Sequence, residues 1–121
     1  MIVNTCSAAA FIGVMQRALY SASKGAVYSL TLAMAADHAH EGIRVNAVAP
    51  GTADTPWVAR LLESAEDPVA AAHALRARQP LGRLVTADEV ALAIASLASP
   101  LAGSTTGSIL RVDGGMSSLR V

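Results

Sequence analysis

The sequence predicts an α/β fold in which short parallel strands alternate with helices. Hydrophobic residues make up 53% of the 121 residues but aromatic residues only 3%, so the core must be built mainly from Ala, Val, Leu and Ile. Short Val- and Ile-rich runs alternate with Ala-rich stretches in the order strand–helix–strand–helix–strand. This order favours parallel strands that are joined by crossover connections.

The first part of the chain contains two predicted strands with a helix between them. Residues 2–6 form a short apolar run, and a loop of small residues follows it. Residues 19–39 carry apolar side chains at helical spacing, and Gly42 provides a C-terminal cap. Residues 43–48 read as the second strand, which a Pro-Gly pair ends.

The second part contains shorter helices and a last strand. Prolines limit the next helical pieces to residues 57–62 and 68–78. Thr86 and Glu89 form a capping box, which predicts a helix that continues to about residue 98. Residues 108–112 read as the third strand.

Composition argues against several classes of partner. Nine basic and nine acidic residues cancel, and no basic run contains interleaved aromatic residues, so nucleic acid is not an expected partner. No apolar run approaches the length needed to span a bilayer, and the start lacks the basic residues of a signal peptide, so no membrane partner is expected.

Cysteine usage suggests a reducing compartment. Cys6 is the single cysteine, so it cannot form an internal disulfide, and it lies in an apolar run where a buried inert thiol is expected. Together with three scattered histidines it does not form a metal-binding pattern, and no metal is predicted. A cytoplasmic location is therefore the expectation.

Tyr20 and Lys24 form the most informative pair in the chain. They are four residues apart in the predicted helix and therefore lie on one of its faces. A nearby ammonium group favours the ionised form of a phenol, which suits a proton-transfer role. Ser7 supplies a hydroxyl that the loop after the first strand could bring to the same place. The residues alone leave open a surface tyrosine, a solvated lysine and a serine that caps the strand end.

Four motifs, taken together, resemble the short-chain dehydrogenase/reductase family. They are Tyr20-x-x-x-Lys24, the upstream Ser7, the stretch RVNAVAPG at residues 44–51 and the closing VDGG at residues 112–115. The resemblance covers nearly the whole chain but only the C-terminal half of a family member. It implies the C-terminal half of a Rossmann-like doubly wound parallel sheet, with three parallel strands and flanking helices. Residues 1–121 would then form a partial domain.

The resemblance implies an NAD(P)-dependent oxidoreductase. Such an enzyme interconverts an alcohol and a carbonyl by hydride transfer, with a small-molecule substrate and NAD or NADP as cofactor. Tyr20 matches the general acid/base of the family, Ser7 matches the serine that holds the substrate oxygen, and Lys24 matches the residue that contacts the nicotinamide ribose.

The resemblance also assigns residues to the cofactor and the substrate. Cofactor binding is expected of Tyr20, Lys24, Pro50, Gly51, Ala53 and Thr55. The last four belong to the loop after the second predicted strand, where a plain turn is the alternative and a glycine permits close approach of the backbone.

Weaker candidates for substrate binding are Gln16, Arg17, Trp57 and Arg60, for which ordinary surface positions are the alternative. Their polar character favours a sugar or polyol substrate. The stretch of residues 50–83 also resembles bacterial sugar dehydrogenases of the L-fucose or related deoxy-sugar-acid type.

Parts of the family pattern are missing from this sequence. It contains no Gly-x-Gly-x-x-Gly loop to hold the phosphates of a dinucleotide, and no residue matches the catalytic asparagine of the family. We therefore expect the isolated 121-residue chain to bind NAD(P) weakly or not at all. The alternatives are a non-catalytic remnant or oligomerisation module of this fold, and a fragment or a wrongly assigned start. Family members commonly form dimers or tetramers, so a homo-oligomer is expected.

Overall fold

The computed structural model describes residues 1–120 and confirms the predicted α/β class. In chain order, the main elements are β1 (Ile2–Thr5), α1 (Ala18–His38), β2 (Val45–Pro50), β3 (Ala53–Asp54), α2 (Pro56–Glu63), α3 (Pro68–Ala77), β4 (Val85–Thr86), α4 (Ala87–Ala98) and β5 (Ile109–Val112).

The larger sheet has the strand order β1–β2–β5, and all its pairings are parallel. Thr5 lies opposite Val48, and Pro50 lies opposite Val112, so the carboxyl ends of the three strands meet at one edge. The three parallel strands predicted from the sequence are therefore confirmed. Parallel strands need helical crossovers, which accounts for the helices between them.

The central strand β2 forms the core, because residues 45–49 are all buried. Ala47 packs with Cys6 on one face of the sheet, where α1 contributes Val27 and Tyr28. Val48 packs on the opposite face against Ala93 and Leu97 of α4. Helices thus cover both faces of the sheet.

The strand β2 ends later than predicted, at Pro50 rather than at residue 48. Proline has no N–H to donate to the sheet, and the next donor takes this role: Gly51 N donates to Val112 O at 3.0 Å. A proline is tolerated here because it occupies the last position of the strand.

Two polar side chains connect β2 to the segment that precedes β5. The Arg44 guanidinium donates to the backbone oxygens of Leu97, Ser99 and Thr105. Asn46 accepts from Ser108 N through its Oδ1 at 3.0 Å, and its Nδ2 donates to Thr105 O at 2.8 Å. This buried network fixes the position at which β5 joins the sheet.

The remaining helices and turns lie close to the positions predicted from the sequence. The structure contains the capping box at the start of α4, and Gly42 adopts a left-handed conformation (φ 72°) after a short 3₁₀ turn that follows α1. The two-residue strands β3 and β4, which were not predicted, pair in parallel as a second small sheet. In the described part of the chain, no helix is long and apolar enough to cross a membrane.

Candidate active site

A cleft of about 400 Å³ lies at the carboxyl ends of β1 and β2. Open parallel α/β sheets usually bind their ligands at this edge. Its wall comes from the segments after the two strands, the start of α1, and helices α2 and α3. The lining residues are Ser7, Ala8, Ala9, Val14, Arg17, Tyr20, Gly51, Thr52, Ala53, Trp57, Val58, Leu61, Leu75, Arg78 and Met116.

Ser7 lies two residues after the end of β1, and it lines the cleft. Its Oγ accepts a hydrogen bond from Ala9 N at 3.2 Å and so caps the short 3₁₀ helix Ala8–Ala10. A serine hydroxyl can accept and donate at the same time. The capping role and a role as a donor to a substrate oxygen are therefore compatible.

Tyr20 and Lys24 lie one turn apart at the start of α1, on the same side of the helix. Tyr20 lines the cleft and is 46% exposed. The Nζ atom of Lys24 lies 5.8 Å from the centroid of the Tyr20 ring and donates to Thr5 O at 3.0 Å. The end of β1 therefore holds the ammonium group beside the phenol.

The loop after β2 contributes Gly51 and Ala53 to the cleft, whereas Pro50 and Thr55 do not line it. A β-carbon on Gly51 would lie 2.5 Å from Gln79 Oε1 and 2.9 Å from the Cα of Asp113. The glycine is therefore required by packing within the chain, and this reason differs from the close cofactor approach that the sequence suggested.

Thr55 acts as a helix cap in this structure. Its side-chain oxygen accepts from Val58 N at 3.4 Å and so begins α2. Its hydroxyl hydrogen is not used in that bond. Thr55 thus has a structural role as the cap of α2, and this role is compatible with a hydrogen bond from its hydroxyl to a cofactor.

The four predicted substrate residues divide into two pairs. Arg17 and Trp57 line the cleft, whereas Gln16 and Arg60 are exposed and do not line it. Gln16 has a left-handed backbone (φ 57°) in the turn that precedes α1. The structure therefore does not support a substrate-binding position for Gln16 or Arg60.

Nine lining residues were not predicted as site residues from the sequence, and they are Ala8, Ala9, Val14, Thr52, Val58, Leu61, Leu75, Arg78 and Met116. A usable signal existed for Leu61, because it lies four residues after Trp57 and so shares its helix face. Nothing in the local sequence connects Leu75, Arg78 or Met116 with the end of β2.

The Gln79 side chain connects the end of α3 to Thr52, which lines the cleft. It is 1% exposed, and its Nε2 donates to Arg83 O at 2.7 Å and to Thr52 O at 3.4 Å. Its Oε1 is buried without a partner among the described residues. Thr52 is thus held by a side chain from a distant helix end.

Asp113 organises the segment that carries Met116. It is 4% exposed, and its carboxylate accepts from Gly115 N and Ser117 N, each at 3.0 Å, and from the Ser117 hydroxyl. The carboxylate is therefore engaged within its own turn. Among residues 1–120, no group of His, Cys, Asp and Glu side chains lies close enough together to hold a metal ion.

Comparison with known proteins identifies relatives over nearly the whole chain. The family model described as enoyl-(acyl carrier protein) reductase matches residues 1–117. The chain is 49% identical over 114 residues to cis-4-hydroxycyclohexanecarboxylate dehydrogenase of Sinomonas cyclohexanicum, covering 94% of this chain and 43% of that protein. It is 45% identical over 117 residues to dehydrogenase/reductase SDR family member 6 of Aquarana catesbeiana, covering 96% of this chain and 48% of that protein.

A solved structure shows the same arrangement of elements. A variant of actinorhodin polyketide ketoreductase with NADPH superimposes with a TM-score of 0.89 at 38% identity, covering 97% of this chain and 47% of that one. The chain thus spans about half the length of the relatives it matches. Because the family match extends over nearly all its residues, the chain belongs to the short-chain dehydrogenase/reductase family.

Proposed function

We propose that this chain is the C-terminal, catalytic half of an NAD(P)-dependent oxidoreductase that interconverts an alcohol and a carbonyl. Residues 1–121 would form a partial domain, with Ser7, Tyr20 and Lys24 as the catalytic residues. One observation carries the proposal: the Ser7 and Tyr20 side chains line the same cleft, and Lys24 is held beside the Tyr20 ring.

The arrangement suits proton transfer at a substrate oxygen. In the oxidation of an alcohol, ionised Tyr20 would accept the hydroxyl proton while Ser7 donates a hydrogen bond to the same oxygen. The ammonium group of Lys24 would stabilise the phenolate through its charge. A bound nicotinamide would supply the acceptor of the hydride that leaves the carbon. In the reverse direction, Tyr20 would return the proton to the oxygen.

The cleft residues fit the nicotinamide end of NAD or NADP. Gly51 and Ala53 line the same cleft as Tyr20, Pro50 and Thr55 are close to them in sequence, and Lys24 lies beside the Tyr20 ring. The related ketoreductase solved with NADPH supports this class of cofactor. The phosphates of the dinucleotide would need a glycine-rich loop, which this sequence does not contain.

The residues that line the cleft favour particular classes of alcohol substrate. A sugar or polyol hydroxyl, as predicted from the sequence, remains one candidate. The second candidate is an alcohol on a hydrocarbon ring, because aliphatic side chains such as Val14, Val58 and Leu61 form much of the wall. The Sinomonas relative is named for a ring alcohol of this kind, which supports the second candidate.

The experiment restores the missing half and then removes the proposed acid/base. Residues 1–121 are fused to the segment of the Sinomonas relative that lies outside the matched region, and NAD(P)H formation is measured with cyclohexanol and with a polyol. Tyr20→Phe should lower kcat at least about a hundredfold, since general acid–base groups contribute that much.

Tyr28→Phe is the matched control, because Tyr28 is the only other tyrosine and lies on the same helix, packed edge-on against Phe11. Equal activity of Tyr20→Phe and the parent fusion would refute the catalytic assignment. A fusion that folds but has no activity with either cofactor would favour the non-catalytic module. Light scattering on the same fusion tests the proposed homo-oligomer.

A further inference from the structure

Two arginines face the cleft without a partner. Arg17 comes from the start of α1 and Arg78 from the end of α3, and both line the cavity that also contains Tyr20. They are the only charged side chains in the lining, and no carboxylate accompanies them. The cleft therefore has a positive charge without an internal counterion among the described residues.

Three other arginines have structural partners, whereas Arg60 and Arg76 have none within residues 1–120 but do not line the cleft. Arg44 donates to three backbone oxygens, Arg83 pairs with Glu89, and the guanidinium of Arg111 lies 4.5 Å from the centroid of the Phe11 ring. Arg17 and Arg78 make no ion pair or hydrogen bond within residues 1–120. The fold gives neither of them a structural role.

The acidic residues nearest in sequence to the lining do not neutralise this charge. Asp113 is buried and is engaged by Gly115 and Ser117, and Asp54 does not line the cleft. The remaining wall is largely apolar, but Arg17 and Arg78 are themselves exposed, so water screens part of their attraction for an anion. A guanidinium presents paired N–H donors that match a carboxylate.

We propose that Arg17 and Arg78 bind an anionic group of the substrate, so that the enzyme acts on the hydroxyl or carbonyl of a small carboxylic acid. This inference rests on the proposed function, because it takes the cleft as the place where the substrate binds. An anion could also come from the pyrophosphate of the dinucleotide, which shares the same chemistry. The experiment separates these two sources.

Trp57 provides a direct readout, because it is the single tryptophan and lines the cleft. Its fluorescence is followed while the 121-residue chain is titrated, at low ionic strength, with cyclopentanecarboxylate or with the neutral cyclopentanecarboxamide. The acid should bind at least about fivefold more tightly than the amide, as expected for a partly screened ion pair.

Arg17→Gln and Arg78→Gln should each weaken binding of the acid about fivefold and leave binding of the amide unchanged. Arg76→Gln and Arg60→Gln are the matched controls, since these arginines lie on α3 and α2 but do not line the cleft. Equal binding of acid and amide, or equal effects of Arg76→Gln and Arg78→Gln, would overturn the inference. So would an absence of any saturable signal.

Inorganic pyrophosphate is the third ligand in the titration. If it binds more tightly than the acid and loses more affinity in Arg17→Gln and Arg78→Gln, the arginines serve the dinucleotide and the inference is overturned. Because this readout needs neither cofactor nor turnover, the two proposals can fail separately. If the acid binds more tightly than the amide but the fusion is inactive, only the proposed function is refuted. If acid and amide bind equally and the fusion is active, only this inference is refuted.

Discussion

Gly51 and Gln79 pack so closely that a β-carbon on Gly51 would lie 2.5 Å from the Oε1 atom of Gln79. Gln79 also holds the backbone of Thr52, the next residue in the loop. The loop after β2 is thereby seated against the end of α3. Two residues that line the cleft, Gly51 and Thr52, are thus positioned by contacts with a segment that is distant in sequence.

Replacing this glycine should destabilise the protein. In Gly51→Ala the new methyl group would displace Gln79 or the backbone of Asp113, and we expect the free energy of unfolding to fall by about 1–3 kcal/mol. Urea denaturation followed by circular dichroism measures the change. Gly13→Ala is the control, because a β-carbon there meets nothing within 4 Å. Equal losses in both variants would contradict the packing explanation.

Glu89 should make stability depend on pH in the acidic range. The hydrogen bond from the Arg83 guanidinium, followed by that from the Thr86 backbone, lowers the pKa of Glu89 from 4.5 to about 2. A pKa that is lowered in the folded state stabilises the protein above about pH 4.5, and this contribution is lost as the pH falls towards 2.

Thermal unfolding between pH 6 and pH 2 tests this expectation. The difference in Tm between the parent chain and Glu89→Gln should be largest at pH 6 and should shrink towards pH 2. Asp88→Asn is the control, since Asp88 lies in the same first turn of α4 but has no ion pair in the described part of the chain. A gap between parent and Glu89→Gln that stays constant with pH would argue against the ion pair as the cause.

Cys6 should react slowly with thiol reagents in the folded protein. Its side chain is 2% exposed, and its Sγ donates a hydrogen bond to Lys24 O, with the two atoms 3.3 Å apart. A disulfide reagent should therefore modify the native chain at least about a hundredfold more slowly than the urea-unfolded chain, since reactivity requires access to the thiolate. Comparable rates would show that the segment around β1 opens readily.

Removal of the Lys24 charge should lower the activity of the fused enzyme. Lys24→Met keeps an unbranched side chain that is one atom shorter, but it loses the hydrogen bond to Thr5 O and the positive charge beside Tyr20. We expect kcat to fall about tenfold or more, because the positive charge that the proposed proton transfer at Tyr20 uses is then absent. Ser23→Ala is the control, since the Ser23 hydroxyl donates only to Tyr20 O within its own helix. A similar loss in both variants would indicate general damage to α1.

The features that could be predicted from the sequence are those that depend on interactions between residues close together in the chain. The capping box of Thr86 and Glu89 and the spacing of Tyr20 and Lys24 depend on residues within one helical turn, so their geometry could be stated in advance. The strands of the larger sheet were recognisable because each is a short apolar run between turn residues.

What the sequence did not reveal depends on contacts between distant segments. The strands β3 and β4 contain two residues each, too few to show a periodicity, and they exist only because they pair with each other. Arg78 reaches the cleft because α3 folds back beside the loop after β2, whereas Arg60 does not line the cleft although it is nearer to that loop in sequence. Position in the chain was therefore a poor guide to the substrate side of the cleft.

The Asn46 network has a consequence for the order in which the chain folds. Its hydrogen bond with Ser108 joins residues that are 62 positions apart, and Arg44 reaches across a similar interval. Contacts of such separation close large loops and form late, which slows folding. We therefore expect β5 to dock after the β1–α1–β2 unit has assembled, so that amide protons of residues 108–112 gain protection from hydrogen exchange last during refolding.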